Sequence, residues 1–164
     1  MRLGEHRYEV SLAWEGDRGT GTSGYREYGR EHVVRSDGKL HDLAGSSDRA
    51  FHGDRARWNP EELLLAALAD CHMLSYLHVA VRHGVVVRGY ADVAVGTMQE
   101  DGRGGGAFTE AVLRPHVVVA DASMLELAQA LHHEASELCF IASSVSFPVR
   151  HEPTASVLAE AGAE

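Results

Sequence analysis

Between Asn59 and Gly84 the chain runs apolar, with polar residues at helical intervals and helix signals at both ends. Asn59 suits an N-cap, Pro60 the first helical position, and Glu61 and Glu62 the positive end of the helix dipole. Glu62 stands three residues past Asn59, where it can reach back to the cap amide. Arg82 and His83 suit the negative end, and Gly84 supplies a left-handed stop. The pattern predicts one helix of about 24 residues, roughly 36 Å long. Leu63, Leu64, Leu65, Ala66, Ala67 and Leu68 leave almost no polar side, so the first two turns are expected to be buried all round. That requires a sheet on one face and, in so short a chain, a second copy of the protein on the other. Asp70, His72, Ser75, His78 and Arg82 interrupt the apolar run, which argues against a membrane span.

The remaining segments read mostly as strands. Arg7 to Glu15 alternates Tyr8, Val10, Leu12 and Trp14 against polar neighbours, as a half-buried strand does. A turn at residues 16–21 leads to a returning strand from Ser23 to Arg35, and Asp37-Gly38 to a short third strand, Lys39 to Leu43. Residues 44–58 form a long polar loop, a candidate site wall. Past Gly84 a strand is expected to about Gln99, then a glycine-rich hairpin tip and a strand from Phe108 to Ala120. A second helix is expected from Ser123, with Glu126 completing a capping box, to about Cys139. Its predicted core stripe is Leu127, Ala128, Leu131, Ala135 and Leu138. Phe140 to His151 reads as a last strand, and the tail after Pro153 as frayed. Three strands, helix, two strands, helix, strand, joined by hairpins, predict an α+β fold with a mainly antiparallel sheet and both helices on one face.

Composition adds bounds. A length of 164 residues, 45% of them apolar and 24% charged, predicts a single globular domain over 1–164. A formal charge of −9 argues against nucleic acid or an anionic membrane as partner. Residues 1–7 are polar, so no signal peptide is expected and the cytoplasm is the expected compartment. No HExxH or finger spacing occurs, and no Lys-Ser or Lys-Thr follows the glycines at 102–106, so neither a metal site nor a cofactor is expected. Cys71 and Cys139 are the two cysteines, with no CxxC pair. In a reducing compartment isolated thiols are reactive or simply buried, rather than a structural staple.

The motif Asn59-Pro60-Glu61-Glu62-Leu63 with Cys71 ten residues past Glu61, followed by a second helix ending in Cys139, resembles the osmotically inducible protein C and organic hydroperoxide resistance family (OsmC/Ohr). Trp14-Glu15-Gly16-Asp17-Arg18-Gly19 is similar to the family's first hairpin, and the resemblance runs from about Tyr8 to Pro153. It implies an intertwined homodimer that reduces organic hydroperoxides at the expense of a dithiol reductant. It further implies a peroxide-attacking Cys71, a resolving Cys139, and an arginine and glutamate attending the first thiol, which by motif are Arg18 and Glu61. Arg26 and Arg30 in the next predicted strand are alternatives for the arginine. Cys71-His72-Met73-Leu74 and Cys139-Phe140-Ile141 differ from the hydroperoxide-resistance branch and look more like another OsmC-like branch.

The chemistry sets its own demands. A peroxide is attacked by a thiolate, and an ordinary cysteine is only about 3% thiolate at pH 7, against roughly 90% if its pKa falls to about 6. Burial among leucines works the wrong way, so a cation such as Arg18 is required, held in turn by a carboxylate. Without one, Cys71 reads as an inert core cysteine. His72 sits about 100° round the helix from Cys71 and is not its base; His78, His132 and His133 read as surface or satisfied core residues. Glu61 and Cys71 are about 15 Å apart along a continuous helix, so a shared site is expected to be composite, one chain supplying Glu61 and the other Cys71. The competing readings are a non-enzymatic module with an apolar groove for a lipid-like ligand, and a cysteine hydrolase, which has no use for a second cysteine.

Overall fold

The computed structural model describes residues 4–158. They form two compact units that divide between Leu63 and Leu64. In the first, strands β1 (Ser11–Trp14), β2 (His32–Arg35) and β3 (Leu43–Gly45) make an antiparallel sheet in that order, with Leu12 opposite Val34 and Val33 opposite Ala44. All three are displaced from or shorter than predicted. Beside that ladder the Glu15 amide bonds the Glu31 carbonyl and the Gly29 amide the Gly16 carbonyl, and residues 17–28 form turns instead of the predicted strand. The Asp17 carboxylate accepts the amides of Gly19 and Gly21 at 2.8 and 2.9 Å, and Gly16 lies so close to Gly29 that a Cβ has no room. The predicted half-burial of the first strand is also absent: Leu12 is 64% exposed, and Tyr8 and Val10 are exposed as well. The long loop before the central helix is structured. Asp48 caps a short 3-10 turn at Arg49–Phe51, and Trp58 exchanges backbone hydrogen bonds with Ala44 and Ser46 beside β3.

Helix α1 runs from Pro60 to Arg82. Its start is the predicted reciprocal box: Asn59 Oδ1 accepts the Glu62 amide at 2.7 Å, and Glu62 Oε2 accepts the Asn59 amide at 3.4 Å. Gly84, at φ +71°, stops it. Because Asn59 is buried and satisfies an otherwise unpartnered amide, Asn59→Ala is expected to lower stability by about 1–2 kcal/mol. Urea denaturation measures this, and an unchanged midpoint would show the box to be idle. The first two turns are not buried all round. Leu68, His72, Tyr76, Val79 and Ala80 form a single buried stripe, whereas Leu63, Leu64 and Leu65 are only partly covered and Leu74 and Val81 are exposed. The length and composition of α1 would also suit a membrane span; its buried stripe makes it a core helix.

The second unit holds two three-stranded sheets. Strands β4 (Val87–Ala91), β7 (His116–Val119) and β9 (Thr154–Val157) form one, and β5 (Val95–Glu100), β6 (Gly106–Leu113) and β8 (Val149–His151) the other. The two long strands predicted after α1 are each broken, and their halves join different sheets. Pro115 cannot donate to a ladder, and Asp92 accepts the Arg114 amide at 2.7 Å, so the chain turns a corner at both places. A third corner falls at Glu152-Pro153, where the Glu152 amide bonds Leu113 and the Thr154 amide bonds Pro115. Beyond it lies β9, so the tail predicted to fray is a paired strand as far as Leu158; residues 159–164 fall outside the described residues. β8 pairs with β6, and β9 with β7, in parallel, while the other four pairings are antiparallel, so the strands are mainly antiparallel as predicted, though divided among three sheets.

Helix α2 (Leu125–Glu137) follows a 3-10 turn at Ala122–Met124. Asp121 caps that turn by accepting the Ser123 amide; Ser123 is not the cap. Ala128, Leu131, His132 and Ala135 are its buried face, and the predicted core residues Leu127 and Leu138 stay exposed. One core joins Tyr76, Val79 and Val85 to Val117, Val119, Ala128 and Leu131. A second joins Leu68 to Ala111 and Leu113, with Ile141 and Phe147 packed against it. The predicted strand from Phe140 begins instead as a 3-10 turn at Ala142–Ser144, where the Ser143 amide and hydroxyl both bond the Cys139 carbonyl. The architecture is α+β.

Candidate thiol site

Cys71 lies in the middle of α1, and Cys139 just past the end of α2. The fold brings their thiols within hydrogen-bonding reach of one another, and both are free. Cys139 is buried and its Sγ also accepts the Ala142 amide at 3.5 Å. Burial, then the hydrogen bond with Cys71, pushes the Cys139 thiol up to about 11. Cys139 is therefore a protonated thiol near neutral pH. Cys71 is part-exposed and opens onto a groove of about 830 Å³. Ala67, Leu74, Ser75 and His78 stand four before and three, four and seven after it on the same helix face, and all line that groove. Leu138, Phe140 and Ile141 form the opposite wall, and Asp70 and Glu137 sit at its polar edge. A small apolar molecule entering here meets Cys71, which is in turn within reach of the buried Cys139 thiol.

Glu61 and Arg18 belong to the first unit. Glu61 is part-buried, and its Oε2 has no hydrogen-bond partner among the described residues. α1 is unbroken between Glu61 and Cys71, a rise of about 15 Å. Arg18 sits in the glycine turn, mostly exposed, 3.9 Å from Glu31. Arg30 donates to the Tyr25 and Tyr28 carbonyls and lies over both rings, which occupies its guanidinium. Arg26 is exposed.

Sequence reasoning missed one cluster. His72 is fully buried; its Nε2 lies 3.0 Å from His132 Nδ1, and its ring centroid 4.2 Å from that of His151. Tyr76 stacks on His132 at 4.1 Å and donates its hydroxyl to the Ala128 carbonyl. Burial, with mutual repulsion among the three rings, pushes His72 down to about 3 and His132 to about 4. The spacing His72, Tyr76, Val79 on α1 and Ala128, Leu131, His132, Ala135 on α2 was the available signal: both histidines fall on core stripes. Among the described residues no group of three or more His, Cys, Asp or Glu side chains is arranged to hold a metal ion.

The sequence pattern of the OsmC-like protein family matches residues 52–154. No curated protein matches the chain. Among solved structures, an OsmC-like protein of unknown function from Vibrio cholerae is 31% identical, with a TM-score of 0.81 over 91% of this chain and 99% of that one. An organic hydroperoxide resistance protein from Legionella pneumophila shares 19% identity at a TM-score of 0.69, over 94% of this chain and 100% of the other. Another, from Elizabethkingia anophelis, shares 17% at 0.65 with the same coverage. These last two likenesses are of fold. The family pattern covers more than half of the chain and includes both cysteines, and the Vibrio cholerae structure agrees in sequence and in backbone: the chain belongs to the OsmC-like family.

Proposed function

We propose that the protein is a thiol-dependent peroxidase for organic hydroperoxides, acting in oxidative stress defence in the cytoplasm. The observation that carries this reading is the pair of free thiols within reach of each other, one open to an apolar groove and one buried. The Cys71 thiolate attacks the terminal peroxide oxygen; the O–O bond breaks, the alcohol leaves with a proton, and Cys71 becomes a sulfenic acid. Cys139 then attacks that sulfur, water leaves, and a disulfide forms, which a dithiol reductant returns to two thiols. Arg18, held by a carboxylate, is assigned to the Cys71 thiolate, and Glu61 to positioning that charge; both assignments come from the family motif. The working form is an intertwined homodimer. Supporting this are the exposed apolar residues of and around β1, Tyr8, Val10, Leu12 and Trp14, which one chain leaves uncovered.

The test is mass spectrometry of the reduced protein before and after one equivalent of cumene hydroperoxide. The expected result is loss of two hydrogens, mapped to a Cys71–Cys139 disulfide; unchanged thiols would overturn the reading. The apolar groove also supports a second reading, a non-catalytic module for a lipid-like ligand, which predicts no change in that experiment.

The groove wall bears on substrate size. With about four carbons buried at about 0.8 kcal/mol each, a bulky alkyl hydroperoxide is expected to exceed hydrogen peroxide in kcat/KM on the order of 100-fold. Steady-state kinetics with both peroxides checks this, and a preference for hydrogen peroxide would refute it.

A further inference from the structure

We infer that Ser143 is a positioning residue for the resolving thiol: it anchors the turn that aims the Ala142 amide at Cys139 Sγ, and so sets the rate at which the Cys71–Cys139 disulfide closes and reopens. The inference rests on the peroxidase reading of the same site. The chain leaves α2 after Glu137 and turns through the 3-10 segment at Ala142–Ser144. Two serines fasten that turn. The Ser143 amide and hydroxyl both donate to the Cys139 carbonyl, at 3.1 and 3.0 Å. The Ser144 hydroxyl donates to the Phe140 carbonyl at 2.7 Å, and its amide to the Ile141 carbonyl at 3.0 Å. Held in this way, the turn places the Ala142 amide 3.5 Å from Cys139 Sγ. From α1, four residues past Cys71, the Ser75 hydroxyl reaches the Leu138 carbonyl at 3.5 Å, which ties the same stretch to the helix that carries Cys71. Among the described residues Ser143 is the one whose side chain bonds the backbone of Cys139 itself.

Resolution needs negative charge on this sulfur, and most of its surroundings oppose it. Burial, then the bond with Cys71, pushes the Cys139 thiol up, while the amides of Ala142 and Ile141 pull it the other way. A thiol sulfur is a weak acceptor and a thiolate a strong one, so an amide aimed at Sγ gains strength as the proton leaves. With Cys71 as a sulfenic acid, the Cys139 sulfur attacks the Cys71 sulfur. The S–S bond forms, the S–O bond breaks, and the hydroxide leaves as water with the proton given up by Cys139. Reduction returns charge to the same atom. Cys71 opens onto the groove and Cys139 is buried, so a dithiol reductant attacks Cys71. A mixed disulfide forms there, the Cys71–Cys139 bond breaks, and Cys139 leaves as a thiolate that takes up a proton. The second thiol of the reductant then closes its own disulfide and frees Cys71. Attack of Cys71 on the peroxide places no charge on Cys139, so that step does not draw on the turn.

The experiment follows the full-length reduced protein after one equivalent of cumene hydroperoxide, by rapid quench and mass spectrometry, in wild type, Ser143→Ala and Ser143→Thr. Ser143 is exposed, so alanine there leaves both cores unaltered. Ser143→Ala is expected to form the Cys71 sulfenic acid at the wild-type rate and to close the disulfide about threefold to tenfold more slowly, the effect of one ordinary hydrogen bond. Reopening of the preformed disulfide by dithiothreitol is expected to slow by a similar factor. Dimedone added with the peroxide is expected to capture a larger share of Cys71 in this variant. Ser143→Thr keeps the hydroxyl and is expected to restore closure and reopening. Closure and reopening at wild-type rates in Ser143→Ala would overturn the inference. So would an equal slowing of sulfenic acid formation, or a Ser143→Thr protein as slow as Ser143→Ala, since the serine would then only support the fold. In each of those cases a disulfide still forms and the peroxidase reading stands. If the unaltered protein forms none, that reading falls and the role of Ser143 with it.

Discussion

Cys71→Ser is expected to abolish hydroperoxide turnover, and Cys139→Ser to allow one reduction and then stop. The asymmetry follows from the surroundings of the two thiols. Cys139 is buried, and with its thiol pushed up to about 11 it is ionised at pH 7 only to the order of 1 part in 10,000, against about 3% for an ordinary cysteine. It cannot replace Cys71 as the attacking group, and Cys71→Ser does not relieve the burial that is the largest cause of its shift. The loss in kcat/KM is therefore expected to be at least 100-fold with every peroxide. In Cys139→Ser the first step survives, because Cys71 keeps its access to the groove, and the enzyme halts as a Cys71 sulfenic acid. Trapping with dimedone, followed by mass spectrometry, reads the site directly. Equal peroxide consumption by wild type and Cys71→Ser would reject the assignment of roles. A dimedone adduct on Cys139 of Cys71→Ser formed at the wild-type rate would invert it.

What could be read in the sequence was whatever depends on neighbours along the chain. The Asn59–Glu62 box, the acidic first turn of α1 and the Gly84 stop all involve residues within one turn of each other, and all are present. So is the hairpin between β5 and β6, whose tip is closed by Asp101 accepting the Arg103 and Gly105 amides. Alternation could not show that a strand changes sheets. The period of two continues through Asp92 and up to Pro115, while the ladder partner switches there. Nor could it reveal β9, whose partner, β7, lies 38 residues back at Thr154 and His116. The same limit applies to the site. Cys71 and Cys139 stand 68 residues apart in sequence, and no local pattern joins them; the family resemblance proposed the pair, and the packing of α1 against the end of α2 places the thiols together. The charged groove edge went unseen because Asp70 and Glu137 are ordinary surface residues until the two helices are set side by side.

The His72, His132 and His151 cluster predicts that the protein loses stability in mild acid, before its carboxylates titrate. His72 and His132 are held at about 3 and about 4, below the ordinary value of about 6.5 expected once the chain unfolds. The unfolded chain thus binds protons more readily than the folded one across this window. The stability these neutral rings provide is complete above pH 6.5 and is lost progressively as pH falls towards 4. At pH 4 the loss is on the order of 3 kcal/mol for each of the two rings, a large part of the 5–15 kcal/mol typical of a folded domain. His151, also shifted down by burial, adds to the same limb. The contacts give the reason in atoms. The 3.0 Å bond between His72 Nε2 and His132 Nδ1 needs one donor and one acceptor, so protonating both facing nitrogens breaks it. The other groups facing the pair are Tyr76 and His151, neither of which supplies a negative charge, and the histidine–carboxylate pairs His83–Glu134 and His133–Glu137 involve other rings. Urea denaturation at a series of pH values measures the effect, with an expected slope of about 2 kcal/mol per pH unit between pH 6 and 4.5 if two rings act together. The paired substitution His72→Leu with His132→Leu removes both polar partners at once, and it is expected to flatten that slope even if its stability at pH 7 is lower. His72→Leu alone strands a buried imidazole and is expected to cost about 1–3 kcal/mol at pH 7. Equal stability at pH 8 and pH 5 in the unaltered protein would mean that the fold accepts protons on these rings, and the buried neutral cluster would have to be abandoned.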